Sequence, residues 1–173
     1  MLDLQYFWAR IMAKLHGDEA YSKLFRSQGM RIGKNCHIYS NIITPESYLI
    51  AVGDNVTISN DVQFITHDNC VCKLFPDKTD IFGRVQVGDN CFVGARSILM
   101  YGVSLPNNTI VAAGSVVTRS FTDEGTIIGG NPARVIGKWE RFGEKILTYA
   151  LNTDGLSQEA KKALVLNSPK IVR

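Results

Sequence analysis

A six-residue spacing of aliphatic side chains constrains the fold of this chain more than any other feature of its sequence. From residue 81 onward an aliphatic side chain recurs at every sixth position without a break, at Ile81, Val87, Val93, Leu99, Leu105, Val111 and Val117. The same register occurs earlier, at Ile32, Ile38, Val52, Ile58 and Phe64. Four positions after most of the later aliphatics stands a small or modest side chain, at Val85, Cys91, Ser97, Val103, Thr109 and Ser115. Each unit therefore offers two inward positions.

A period of six fits neither the 3.6-residue period of an α-helix nor the two-residue period of a single strand. Three such units make an 18-residue turn of a triangular parallel β-helix, in which equal positions stack from coil to coil. Either the glycine that often follows the aliphatic, as at Gly33, Gly53, Gly88 and Gly94, or an asparagine or aspartate is expected to supply the positive φ that the corners require. Insertions in such a coil form loops: we expect about two extra residues within 44–50 and about eleven within 70–80.

The sequence therefore predicts an all-β fold with helical ends. The β-helix is expected over residues 31–137 and carries a loop at 68–80. A helical segment at residues 1–30 precedes it, and a helical extension at 138–173 follows it.

The two ends show helical rather than six-residue spacing. Apolar side chains within residues 2–15 predict an amphipathic helix that packs on the first coil, with peripheral membrane contact as the alternative. Residues 138–151 and 157–166 are expected to be helical, and Ser157 is a suitable N-cap for the second of these helices.

Composition excludes several classes of protein. Hydrophobic residues at 45% and charged residues at 20% are ordinary for a globular domain, and a net charge of +3 is too small to predict a nucleic-acid partner. The four cysteines show no paired CxxC spacing, so we expect reduced thiols and no structural zinc. No run approaches the roughly 20 apolar residues of a membrane span, and no basic leader precedes an apolar run. These features predict a cytoplasmic protein.

Four sequence blocks resemble one known family. They are THDN at 66–69, VGDNCFVGARSIL from Val87, VAAGSVVTRS from Val111 and GGNPARVIGK from Gly129. Together they are similar to the hexapeptide-repeat acyltransferases, in particular the maltose, galactoside and nodulation-type O-acetyltransferases. The resemblance implies a left-handed coil, a homotrimer, and an acyl-coenzyme A site between neighbouring subunits.

Three departures from the family pattern concern the site. Phe92 stands where relatives often have tryptophan, and Arg119 replaces a frequent lysine. The loop after His67 lacks a His-Pro pair. The wall around the acceptor is therefore expected to differ from that of the relatives.

His67 is the predicted general base. Transfer of an acyl group to a hydroxyl needs a base to take the alcohol proton, and histidine has a suitable reference pKa of about 6.5. The resemblance places the catalytic histidine at this position, beside the loop. The group that orients His67 is left open among Asp68, Asp61 and a backbone carbonyl. His16 and His37 are weaker candidates, and their spacing with His67 does not predict a metal site.

The resemblance also implies the binding residues. The acceptor is expected to contact Asn41 and Glu46. Acetyl-coenzyme A, the expected co-substrate, is assigned to Ala95, Ala113, Thr118, Arg119 and Arg134.

The predicted activity is transfer of an acetyl group from acetyl-coenzyme A to a hydroxyl of a sugar or saccharide precursor, in a ternary complex, as in polysaccharide biosynthesis. An N-acyltransferase acting on an amino sugar is the nearest alternative. A non-catalytic β-helix scaffold is a third reading, because a fold does not determine a function. A covalent mechanism through Cys70 or Cys72 is a less favoured route, because no second histidine is positioned to activate these thiols.

Overall fold

The computed structural model describes Leu4, Phe7, Trp8, Ile11 and residues 19–171. Leu4, Phe7, Trp8 and Ile11 are helical, and the rest of the predicted helix at 2–15 lies outside the described residues, as does His16. The chain divides into two compact units, Met1–Gly137 and Lys138–Arg173.

Three sheets of short strands form the three faces of the first unit, and successive coils pair in parallel. The first face contains β1 (Arg31–Ile32), β3 (Ile50–Val52), β8 (Val85–Val87) and β11 (Ser104–Leu105). The second contains β2 (His37–Ile38), β4 (Thr57–Ile58), β9 (Phe92–Val93), β12 (Ile110–Val111), β14 (Thr126–Gly130) and β15 (Ala133–Lys138). The third contains β5 (Gln63–Phe64), β10 (Ile98–Leu99) and β13 (Val116–Val117).

The core is the stack of inward side chains that the repeat predicted. Val93 pairs with Val111, eighteen positions later, which is one full coil. The second inward position is also buried throughout, at Val85, Cys91, Ser97, Val103, Thr109 and Ser115. Because a single coil cannot bury its own inward face, stacking of equal positions supplies the core.

Two coils are longer than the regular one. Ile38 pairs with Ile58, twenty positions later, so the predicted two-residue insertion in the first coil is confirmed. A 3₁₀ turn at Ser47–Leu49 lies within it.

In the second coil Val52 pairs with Val87, thirty-five positions later, an excess of seventeen over a regular coil. The expected excess of about eleven was wrong, because Ile81 is not an inward residue. It lies exposed in β7 (Ile81–Phe82), which pairs in antiparallel fashion with β6 (His67–Asp68). The insertion is therefore a hairpin, with a 3₁₀ turn at Cys70–Lys73. Spacing alone cannot distinguish an aliphatic residue of a hairpin from one that enters the core.

Asparagine rather than glycine supplies the positive φ at one row of corners. Asn55, Asn90 and Asn108 have φ of 56°, 54° and 57°, a region that asparagine tolerates better than most residues. Their side-chain amides form a ladder, with N···O distances of 2.7 Å on both sides of Asn90.

The predicted reason for the glycines after the aliphatics was therefore wrong, since none of Gly33, Gly53, Gly88 and Gly94 has a positive φ. They allow close approach between coils instead. A Cβ atom at Gly94, for example, would lie 2.5 Å from the backbone nitrogen of Ala113.

Of the helices whose bounds the structure describes, one precedes the coil in the sequence and two follow it. Helix α1 (Glu19–Ser27) packs against β1 and β2 and buries Phe25. Helices α2 (Trp139–Leu147) and α3 (Gln158–Asn167) belong to the second unit and contain no buried residue. Ser157 Oγ accepts a hydrogen bond from the Ala160 amide at 3.1 Å, which confirms the predicted N-cap. Within the described part of the chain, no helix is long and apolar enough to cross a membrane.

Candidate active site

The coil and its hairpin insertion together hold His67 in place. Phe64 of β5 pairs with Leu99 of β10, and the Ile65 amide donates to the Leu99 carbonyl at 2.9 Å. Thr66 is buried, and His67 follows it as the first residue of the hairpin. The backbone of His67 is therefore held by the coil before it and by the hairpin pairing with Phe82.

One ring nitrogen of His67 is bonded to a carboxylate. His67 Nδ1 lies 2.8 Å from Glu46 Oε2, and the two side chains are 38% and 13% exposed. An ionised carboxylate only accepts hydrogen bonds, so in the neutral imidazole Nδ1 carries the proton and Nε2 keeps its lone pair. Among the described residues Nε2 has no hydrogen-bond partner. This is the tautomer and the orientation that a general base requires.

The carboxylate of Glu46 is itself well supported. Its Oε2 atom accepts from Thr66 Oγ1 at 2.8 Å and more weakly from Thr44 Oγ1 at 3.4 Å, while the two hydroxyls lie 2.6 Å apart. Burial acts to raise the pKa of Glu46, but the hydrogen bonds from Thr66 and His67 outweigh it and hold the pKa below its usual range. Glu46 is therefore ionised at neutral pH.

Neither aspartate that the sequence offered as the orienting group contacts His67 through its side chain. Asp68 Oδ1 accepts from the Cys70 amide at 2.8 Å, and Asp61 Oδ2 lies 3.8 Å from Arg96 Nε. Those two suggestions were wrong. Glu46 lies twenty-one positions before His67, in the insertion of the first coil. The resemblance had assigned Glu46 to the acceptor, and nothing in the spacing indicated that its carboxylate would meet His67.

The cysteines of the hairpin are poor nucleophile candidates. Cys70 and Cys72 are free and exposed. The hydrogen bond with Asp68 raises the pKa of the Cys70 thiol, which keeps it protonated at neutral pH. Since the thiolate is the reactive form, this geometry disfavours a covalent route through Cys70.

Ala95 and Ala113, which the resemblance assigned to the acyl donor, lie together. They line an open groove of about 520 Å³ at the corner between the second and third faces. Asp61 also lines this groove and precedes β5, whereas His67 follows β5. The groove and His67 therefore lie at opposite ends of the same strand. The other lining residues are Asn60, Arg96 and Gly114.

The remaining donor residues are exposed. Thr118 and Arg119 directly follow β13, as His67 closely follows β5, so they lie at the same corner of the coil as the histidine. The Arg119 guanidinium lies 5.4 Å from the ring centroid of Phe121. Arg134 lies on β15 and donates from Nη1 to its neighbour's carbonyl, that of Ala133, at 2.9 Å.

The two residues assigned to the acceptor are not in one cavity. Asn41 lines a cavity of about 300 Å³ beside β5, together with residues 42–43 and 62–65. Glu46 is not part of that lining. Its Oε2 atom is engaged by His67, so contact with an acceptor stays a prediction for Oε1.

The sequence is similar to those of several known proteins, some of which are named as acetyltransferases. Residues 84–119 match the family described as hexapeptide repeat of succinyl-transferase. Protein CapG of Staphylococcus aureus is 41% identical over 151 residues, which cover 84% of this chain and 87% of CapG. Galactoside O-acetyltransferase of Escherichia coli strain K12 is 26% identical over 108 residues, 62% of this chain and 53% of that protein.

The structure has similar counterparts as well. The crystal structure of a maltose O-acetyltransferase from Clostridium difficile 630 superposes with a TM-score of 0.59 at 25% identity, covering 79% of this chain and 87% of the other. The six-residue repeat, the parallel coil and the matches to CapG and to the maltose O-acetyltransferase all indicate the same family. The chain therefore belongs to the hexapeptide-repeat acyltransferase family.

Proposed function

We propose that this protein is an O-acetyltransferase that moves an acetyl group from acetyl-coenzyme A to a hydroxyl of a sugar or saccharide precursor. The observation that carries this proposal is the pair of His67 and Glu46, in which a supported carboxylate fixes the proton on Nδ1 and leaves Nε2 as a base. Two relatives, named as galactoside and maltose O-acetyltransferases, support the choice of a sugar hydroxyl.

The chemistry assigned to His67 is proton transfer. An uncharged hydroxyl is a weak nucleophile, so Nε2 takes its proton as the oxygen attacks the acyl carbon. The imidazolium that forms lies 2.8 Å from the ionised Glu46, which stabilises the new positive charge. His67 then gives the same proton to the departing sulfur, and the base is restored.

The groove fits the donor. Bound acetyl-coenzyme A would supply the acetyl group as a thioester. Its long pantetheine arm needs an open surface with small side chains, and the groove presents the methyl groups of Ala95 and Ala113. Thr118 is proposed to bind the arm further along, and the cationic side chains of Arg119 and Arg134 are proposed to bind the phosphates.

We also propose a left-handed coil and a homotrimer with sites between subunits. His67 and the groove of Ala95 and Ala113 lie at opposite ends of β5, so a neighbouring copy could bring its groove to the histidine. Light scattering should give about three times the chain mass of 19.2 kDa. A monomer at micromolar concentration would contradict the shared site. We also propose that the protein is cytoplasmic, because Cys36, Cys70, Cys72 and Cys91 are free thiols.

The test is a substitution of the base. His67→Ala should lower turnover by roughly 100-fold to 10,000-fold, the range of general base catalysis, and leave coenzyme A affinity unchanged. His37→Ala is the matched control, because that exposed histidine lies on β2 and should not affect turnover. Near-normal turnover of His67→Ala with a good acceptor would refute the mechanism. Absence of coenzyme A binding by the wild type would favour a scaffold, and a preference for amino sugars would favour the N-acyltransferase.

A further inference from the structure

An aromatic ring lies directly beside the proposed base. In the hairpin of β6 and β7, Phe82 is the cross-strand partner of His67. The two ring centroids are 5.9 Å apart, with an angle of 43° between the ring planes. Side chains paired in this way lie on the same face of the hairpin, so both rings point to the same side.

Phe82 is exposed although its backbone is held firmly. The residue is 56% exposed to solvent. The next residue, Gly83, donates its amide to the Thr66 carbonyl at 3.0 Å and packs so closely on Gly102 that a Cβ atom there would clash with that residue's backbone. The ring is therefore presented to solvent from a fixed position.

A single exposed phenylalanine is ordinary on a protein surface. The position of Phe82 is unusual because Glu46 fixes His67 from one side, while Phe82 lies next to the same imidazole. Any molecule whose hydroxyl reaches His67 Nε2 therefore comes close to the exposed phenyl ring. The ring is part of the surface that the acceptor approaches.

A pyranose suits this arrangement. The two faces of a sugar ring carry C–H groups, and its hydroxyls project from the rim. A flat aromatic ring can cover the C–H face while the hydroxyls keep their water or their hydrogen bonds. Contact of that kind would also restrain the orientation of the rim hydroxyl that must meet the base.

We infer that Phe82 is the platform of the acceptor subsite, on which a pyranose ring stacks with one hydroxyl directed to His67 Nε2. This inference rests on the proposed function and adds to it the mode of sugar recognition. Phe82 is a specificity-determining residue, and the proton transfer remains with His67.

The experiment compares acceptors that have a ring face with one that does not. Wild type and Phe82→Ala are assayed for acetyl transfer from acetyl-coenzyme A to methyl β-galactoside, to maltose and to glycerol. Phe82→Ala should lower kcat/KM for the two pyranosides by about 10- to 100-fold, mainly through KM, because an aromatic contact is lost. The rate with glycerol, which offers hydroxyls without a ring face, should stay within about twofold of the wild type.

Three further variants separate stacking from a structural effect. Phe82→Trp should restore the pyranoside rates, whereas Phe82→Leu should not, because leucine keeps an apolar side chain without a flat face. Phe75→Ala is the matched control: Phe75 is 54% exposed in the same hairpin insertion but is not paired with His67, so its loss should change none of the rates.

The outcomes distinguish this inference from the function beneath it. If wild type acetylates a pyranoside and Phe82→Ala does so equally well, the platform is refuted and the proposed function stands. If Phe82→Ala loses the pyranoside and glycerol rates equally, Phe82 supports His67 and does not recognise the sugar. If wild type acetylates neither pyranoside, the sugar acceptor and the platform are both refuted.

Discussion

The contact between Glu46 and His67 can be tested by removing one charge. Glu46→Gln keeps an oxygen that can accept from Nδ1 and from Thr66 Oγ1, the two donors that lie 2.8 Å from Oε2 in the native protein. It removes the negative charge that stabilises the imidazolium. The amide can also turn its NH₂ group toward Nδ1, which would move the proton to Nε2 and abolish the base.

The structure sets bounds on the effect. Glu46 is proposed to act on the proton transfer through His67, so its loss cannot cost more than the roughly 100-fold to 10,000-fold expected for loss of the base. A neutral acceptor still holds the ring in part of the population. We therefore expect Glu46→Gln to lower kcat by about 10- to 1,000-fold, with little change in KM for acetyl-coenzyme A.

A double-mutant cycle is the assay. Turnover is measured for wild type, Glu46→Gln, His67→Ala and the double variant. Once His67 is absent, Glu46 has no base to orient, so the double variant should be no slower than His67→Ala. If the loss of turnover in the double variant equals the product of the two single losses, Glu46 does not act through His67. That result would favour the direct acceptor contact predicted from the sequence.

The pH dependence of stability gives an independent check on the same carboxylate. The pKa of Glu46 is lowered in the folded protein, so its ionised form stabilises the fold above the unfolded carboxyl pKa of about 4.3, and this contribution is lost as pH falls through the lower folded value. The difference in urea unfolding between wild type and Glu46→Gln should therefore not decrease between pH 8 and pH 5, because protonation of the adjacent His67 strengthens its contact with the ionised carboxylate, and it should shrink below pH of about 4. A difference that already fades between pH 8 and pH 6 would contradict this reasoning.

Three more predictions concern the donor site and the coil. Ala113→Leu should fill the groove and raise the Kd for coenzyme A roughly 10-fold or more, whereas Ala113→Gly should not, as measured by calorimetry. Arg134→Ala should weaken the binding of acetyl-coenzyme A by roughly 10-fold or more, and should weaken the binding of an analogue without the terminal phosphate by less. Equal losses of affinity would show that Arg134 does not bind that phosphate. Asn90→Ala should lower the free energy of unfolding by about 1 kcal/mol more than Asn90→Gly, because both variants break the amide ladder but only alanine strains a φ of 54°.

The repeat determined the coil because each inward position is a local requirement. Each inward aliphatic side chain packs on the one eighteen positions away, in the next coil. The same requirement therefore recurs at every sixth position. Residues such as Val93 and Val111 could therefore be placed in the core from the sequence, and the structure buries both. The two-residue excess of the first coil could also be counted, because regular repeats flank it.

The partners of His67 could not be derived in this way. Glu46 lies twenty-one positions before it and Phe82 fifteen after it, and both lie in stretches where the period is broken. Outside the repeat no stacking rule links one position to another, so the hydrogen bonds of the insertion and the register of the hairpin decide which side chains meet. Ile81 illustrates the limit, since it continues the six-residue pattern and yet lies in an antiparallel strand at the surface. The sequence by itself determined the coil and, with the resemblance, singled out His67 as the predicted base, whereas only the tertiary structure decided which carboxylate is hydrogen-bonded to His67 and which ring lies beside it.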